Sequence, residues 1–214
     1  MKEVIKINLK ERGIKHAFHS ELHSLTDGEK IEKIQFHFAQ IMRTLGLDLN
    51  DDSLADTPKR VAKMYVKEIF SGLNPENKPK ASLFENKYKY KRMLVEKDIT
   101  VYSNCEHHFV PIIGKAHVAY IPDEKVIGLS KINRIVQYYS KRPQVQERLT
   151  IQISDSLKEL LQHDNVAVVI EADHLCVASR GIGDTNSMTV TSTFSGRFET
   201  DSIKNEFLAL IGKK

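Results

Sequence analysis

The sequence has no tryptophan and only two cysteines, Cys105 and Cys176, in 214 residues. Two thiols make at most one disulfide, too few for a small stapled secreted scaffold. A histidine close to each thiol favours metal binding in a reducing compartment instead. No apolar run approaches the ~20 residues that a membrane span needs. The start, Met1 to Ser20, mixes Lys and Arg with Glu3 and Glu11 and has no continuous apolar stretch. That argues against a signal peptide and for a cytoplasmic protein. Excess charge is small as well: 32 basic against 28 acidic residues leave +4. Such a balance suits an anionic ligand but falls short of a nucleic-acid-binding footprint. No solenoid-period repeat or low-complexity segment is present. What remains is an ordinary soluble composition, 41% hydrophobic and 28% charged. The length allows one sizeable core and a smaller helical piece.

Residues 1–25 show weak patterning and read as an extension. Thr26 with Glu29 has the form of a capping box. Ile31, Ile34, Phe38, Ile41, Met42 and Leu45 then recur at helical spacing, predicting a helix to about Gly46. Thr57-Pro58 opens a second helix, buried through Val61, Met64, Tyr65 and Ile69 and ended by Gly72. Residues 26–72 therefore read as an α-helical appendage and 73–89, rich in Pro, Asn and Lys, as a linker. From 90 to 214 the pattern changes. Strands are expected at Arg92–Val95, Ile99–Tyr102 and Gly114–Ile121. A helix follows with Ser130 at its N-cap, then another over Val145–Gln162 after the break at Pro143. Val166–Ala172 and Met188–Phe194 read as a strand hairpin, and Ile203 to Ile211 as a short helix. Strand pair, helix pair, strand pair is an α+β order.

The chemistry concentrates at Cys105-Glu106-His107-His108. Thiolate and imidazole are ligands zinc prefers, and C-x-x-H lets both reach one ion. In a flat strand, however, Cys105 and His108 face opposite sides, so they meet only if the backbone turns. His107 would then sit beside the ion without binding it. A second cluster is His174-Leu175-Cys176. If that end of the strand stays extended, His174 and Cys176 point the same way, and Cys176 completes a Cys-His-Cys set. Three protein ligands leave a fourth position open, the mark of a catalytic zinc site. Taken singly, C-x-x-H is a weak signal and buried structural cysteines are common; both cysteines keeping histidine company is what favours metal. His117 and His163 read as packing or surface histidines. Lys131 and Arg134, one helical turn apart near a helix start, suit an anion, although taken alone they are better explained as a solvated charged face. Gln144, Gln146 and Glu147 between Arg142 and Arg148 could read a hydrogen-bonding heterocycle or simply open a polar helix.

Together these segments resemble one family, GTP cyclohydrolase I. The resemblance is carried by Cys105-Glu106-His107-His108, Gly128-Leu129-Ser130-Lys131, Arg142 through Thr150, His174-Leu175-Cys176 with Arg180-Gly181, and Asp56 through Val61. It implies a tunnelling fold (T-fold), an antiparallel sheet with helices on one face, here with the N-terminal helical appendage. It also implies conversion of GTP and water to 7,8-dihydroneopterin triphosphate and formate, in a homodecamer with sites between subunits. It places zinc on Cys105, His108 and Cys176, acid/base roles on His107 and His174, and guanine recognition on Gln146 and Glu147. The triphosphate falls near Arg60, Lys131, Arg134 and Arg180, with Ser130 close to ribose and phosphates. No nucleic-acid or membrane partner is expected. A zinc-stabilised binding module would need a fourth protein ligand, and no third cysteine exists to supply one, although a histidine could. A base deaminase would show His-x-Glu with Pro-Cys-x-x-Cys, which the chain lacks. Other pterin or deazapurine enzymes of the same fold remain the nearest alternative.

Overall fold

The computed structural model describes residues 25–80 and 82–212; the expected N-terminal extension lies almost wholly outside them. Helix α1 (Asp27–Thr44) starts at the predicted capping box. Glu29 N–H donates to Thr26 Oγ1 (3.3 Å) and Thr26 N–H to Glu29 Oε2 (2.7 Å). Of its apolar stripe only Met42 is buried, and Ile41 and Leu45 stay exposed because α1 packs chiefly on one short neighbour. That neighbour, α2 (Thr57–Met64), has Pro58 in its first turn and runs on through a wider π-helical turn at Tyr65–Ile69. Here Pro58 and Ala62 are buried rather than the expected Met64. The linker region contains a short strand, β1 (Leu83–Glu85).

The main sheet starts with β2 (Leu94–Cys105) and β3 (Pro111–Tyr120), an antiparallel pair. The two strand segments expected at 92–95 and 99–102 are one strand with an irregularity between Glu96 and Ile99. Asp98 takes φ +59° there, so the pattern breaks while the ladder continues. After β4 (Lys125–Ile127), which pairs with β1, come α3 (Leu129–Ser140), β5 (Pro143–Gln144) and α4 (Gln146–Leu161). The N-cap of α3 is Gly128, so Ser130 lies inside the first turn and is exposed, contrary to its expected capping position. Strand β6 (Val166–His174), the single-turn helix α5 (Leu175–Ala178), β7 (Thr189–Phe194) and α6 (Asp201–Leu210) complete the chain. The sheet order is β5-β2-β3-β6-β7, antiparallel except for the two-residue β5–β2 pairing.

Alternation along the strands sets the layers. Ala116, Val118 and Tyr120 on β3, with Val166, Val168 and Ile170 on β6, form one core with α3 and α4. Leu149, Ile153, Leu157 and Leu161, spaced four apart on α4, supply its side of that core. Each such fully buried side chain contributes about 1.5–3 kcal/mol. The intervening residues, Ala119, Ala167 and Val169, pack under Phe198, Phe207 and Ile211 on the other face. The two long helices thus share one face, as the α+β reading expects, and the short C-terminal helix covers one end of the opposite face.

One glycine joins the helical segment to this core. The N–H of Gly72 donates to Lys141 C=O (2.9 Å), and Arg142 Nε donates back to Gly72 C=O (2.8 Å). A Cβ at Gly72 would lie 2.0 Å from the Tyr138 carbonyl oxygen and 2.7 Å from that of Lys141. Both are backbone atoms, so relief requires moving the segment itself. Gly72→Ala is therefore expected to destabilise by about 1–3 kcal/mol, read as a lower denaturation midpoint; an unchanged midpoint would show that the joint is loose.

Candidate metal centre and substrate site

The β2–β3 connection makes the turn that the Cys-Glu-His-His spacing requires. Cys105 ends β2, and residues 106–108 form a turn closed by Phe109 N–H donating to Cys105 C=O (2.8 Å). Phe109 adopts φ +55°, and Cys105 N–H donates to Val110 C=O (2.8 Å). The Phe109 ring packs against Tyr65 and Phe70 of the helical segment, with centroids at 6.4 and 5.1 Å. That apolar contact seats the turn.

Cys176 arrives differently from the sequence expectation. β6 does not stay extended; it ends at His174, and Leu175–Ala178 coils into α5. The helical turn still carries Cys176 to the β2–β3 turn. Ligand atoms of Cys105, His108 and Cys176 all lie within 4.8 Å of one another. Both cysteines are free thiols. Burial, and then the neighbouring Cys105, push the Cys176 thiol above its ordinary pKa. Two sulfurs and an imidazole this close form a soft donor set suited to a transition metal such as zinc. Among the described residues this is the one group of three or more such side chains that converges in this way.

Around that trio lie the other expected groups. His107 Nδ1 is 3.6 Å from Cys105 Sγ but falls outside the converging set. Arg180 Nη1 sits 3.2 Å from His108 Nε2 and within reach of the Cys176 carbonyl (3.5 Å). Glu147 is exposed on the first turn of α4. Burial holds the His174 pKa down, opposed by the charges of Glu147 and Asp173.

Gln146 takes an unexpected position. It is 1% exposed, and its Nε2 donates to the carbonyls of Ile170 and Thr189 (both 3.0 Å) and approaches Thr191 Oγ1 (3.2 Å). Carbonyls only accept, so the amide oxygen must be the atom facing His174 Nε2, at 2.8 Å. Nε2 therefore carries the proton, and in the neutral ring Nδ1 is left as the acceptor. Sequence reasoning assigned Gln146 to a ligand; tertiary structure commits its side-chain amide to His174 and the β6–β7 pair.

The remaining cations divide. Arg60 is exposed on α2, loosely paired with Asp56 (3.9 Å). Ser130, Lys131 and Arg134 lie at the far end of α3. Asn133, between the last two, donates to Glu96 Oε1 (3.1 Å). Glu96 is nine positions before Cys105 on β2, roughly 25 Å away at ~3.3 Å per residue once the irregularity is allowed for. Lys131 and Arg134 therefore flank the contact between α3 and the start of β2, the end of that strand away from Cys105. His117 is a packing histidine, 2% exposed, accepting from Asp98 N–H (3.2 Å) and bonded to Glu171 (3.1 Å). What sequence reasoning missed is Arg148, 9% exposed, ion-paired to Glu106. An arginine two places past Gln146 gave no signal of that partner.

Three soft donors converging at the end of an antiparallel α+β sheet could hold a transition-metal ion, and three protein ligands is the number common in catalytic zinc sites. The sequence profile of GTP cyclohydrolase I matches residues 34–212. GTP cyclohydrolase 1 of Flavobacterium johnsoniae is 61% identical over 197 residues, covering 92% of this chain and 88% of that protein. The enzyme of the same name from Vibrio cholerae is 52% identical over 207 residues, 96% of this chain and 94% of its own. Among solved structures, an archaeosine synthase QueF-like protein in the apo form aligns at 19% identity and TM-score 0.39, over 49% of this chain and 93% of its own. The chain belongs to the GTP cyclohydrolase I family.

Cobalt serves as a visible probe of the three donors. The wild-type chain is expected to bind one Co²⁺ with intense thiolate-to-metal absorption, and Cys105→Ser or Cys176→Ser to lose most of both affinity and band. A band that survives either substitution would place the metal elsewhere.

Proposed function

We propose that the chain converts GTP and water to 7,8-dihydroneopterin triphosphate and formate, opening tetrahydrofolate and pterin biosynthesis in the cytoplasm. The site is a zinc ion on Cys105, His108 and Cys176. The observation that carries this reading is the convergence of those three donors, with His107 Nδ1 3.6 Å from Cys105 Sγ and His174 two residues before Cys176. Zinc held there supplies the Lewis acidity that makes water a nucleophile at neutral pH.

The chain's own residues do the rest. As oxygen adds to C8 of the purine, electron density moves onto the ring nitrogens, and a proton must reach N7. An imidazole that titrates near neutrality suits that transfer, and His107 is the ring beside the ligands that does not join them. C8 leaves as formate after a second hydrolysis. The ribose then opens and rearranges before the pterin ring closes, which calls for a second proton shuttle. His174 fills that role, its Nε2–H bound to Gln146 and its Nδ1 free to accept. Gln146 thus contributes by orienting His174. Reading of the base falls to Glu147, whose carboxylate accepts from guanine N1–H and the 2-amino group. Adenine lacks that donor pair, and leaving a site's polar groups unpaired can cost ~10⁴-fold in selectivity.

Arg60, Lys131, Arg134 and Arg180 hold the triphosphate, with Ser130 near the ribose and phosphates. Since Lys131 and Arg134 flank the end of β2 away from Cys105, the complete site takes them from a second copy. Two open sheet edges support such an assembly, a homodecamer with sites between subunits. Among the described residues β7 pairs only with β6, and β2 is covered on its outer side only at Asn104 and Cys105. Unpaired strand edges invite pairing with another chain.

His107→Ala is expected to keep its zinc, read by metal analysis, while turnover of GTP to formate falls by about 10²–10⁴-fold. Loss of zinc as well would make His107 a ligand. Mixing His107→Ala with Lys131→Ala chains under subunit exchange is expected to restore activity that neither has alone. Each variant spoils a different half of a shared site, and no recovery would place both halves in one chain.

A further inference from the structure

Glu106 stands inside the ligand motif yet binds no metal and has no part in the proton transfers described above. Its contacts run the other way. The carboxylate forms an ion pair with Arg148, and its backbone N–H donates to Gln144 C=O (3.0 Å). Arg148 Nε donates in turn to Gln144 Oε1 (3.0 Å), so both ends of the clip meet on one residue. Gln144 is fully buried, and its Nε2 donates to Tyr139 C=O (2.9 Å) and Gln152 Oε1 (3.0 Å). Arg148 is nearly buried. A guanidinium in that position needs its carboxylate, because an unpaired buried charge is costly.

We infer that Glu106, acting through Arg148 and Gln144, is a positioning residue that sets the distance between the metal-binding turn and the first turn of α4. This rests on the reading of the two halves given above. The turn carries His107 and His108. Arg148 follows Glu147 directly, on the helix whose first turn also carries Gln146. A purine must have C8 at the metal end and its N1 edge at Glu147 together, and these lie at opposite ends of the base. Rigid spacing between the halves is therefore a requirement of the reaction. Within the turn, Cys105 and His108 are otherwise held by backbone bonds, by the packing of Phe109 and, for the His108 ring, by Arg180. The ion pair is the charged tie from this turn to α4.

The test uses the full chain and Co²⁺ as probe. Glu106→Gln keeps shape and removes charge; Arg148→Lys keeps charge and removes the fork that reaches Glu106 and Gln144 at once. Each is expected to bind one Co²⁺ per chain with shifted ligand-field bands and affinity weakened about 10–100-fold. The KM for GTP should stay within a few-fold while kcat drops about 10–100-fold, as misplacement of reacting groups predicts. The double variant should be no worse than the worse single, since both break one tie. Wild-type cobalt affinity and spectrum in Glu106→Gln, or single effects that multiply in the double, would overturn the inference. If the wild-type chain binds no cobalt through thiolate, the metal reading itself falls and this inference with it.

Discussion

Everything catalytic in this chain depends on a reversal of direction at the end of one long strand. β2 must stop at Cys105 and turn within three residues, or the thiol and the His108 ring face opposite sides of a sheet. Backbone geometry enforces the turn through the Phe109-to-Cys105 hydrogen bond and the left-handed Phe109. Two distant parts of the chain then hold it. Tyr65 and Phe70 press on it from the helical segment, and Arg148 grips it from α4. The helical appendage is thus more than an attachment, since its aromatic end supports the turn that carries Cys105 and His108.

Around that turn, structure assigns the two free histidines to different surroundings. His107 is exposed at the mouth, next to the sulfurs. His174 is half-buried, its pKa lowered by burial and its ring tethered to an amide that cannot flip without facing two carbonyls with an oxygen. One ring faces solvent, while the other is held in a fixed tautomer.

Much of the architecture was legible locally. The capping box at Thr26, the four-residue spacing from Leu149 to Leu161 and the apolar run at Val166 each announce an element, because helix and strand periodicities are properties of neighbouring residues. The errors came where one residue broke a local rule. Asp98 in a left-handed conformation split one strand into two expected pieces. Gly128 took the cap that Ser130 was expected to fill. Leu175–Ala178 coiled where extension was assumed, and the donor set formed nonetheless, since a single helical turn can deliver a thiol as well as a strand can.

By itself, the sequence pointed to the chemistry: two thiols, each with a histidine within three residues, and a family resemblance running through five segments. Residue type and spacing suffice for that, because ligand preference is a property of the side chain. Only tertiary structure decided who serves whom. Gln146 turned out to face His174, and Glu106 to face Arg148. Asn133, between Lys131 and Arg134, faces Glu96, nine strand positions before Cys105. Partnerships of this kind are set by which strands adjoin and which helix lies across them, over separations of tens of residues that no local pattern records.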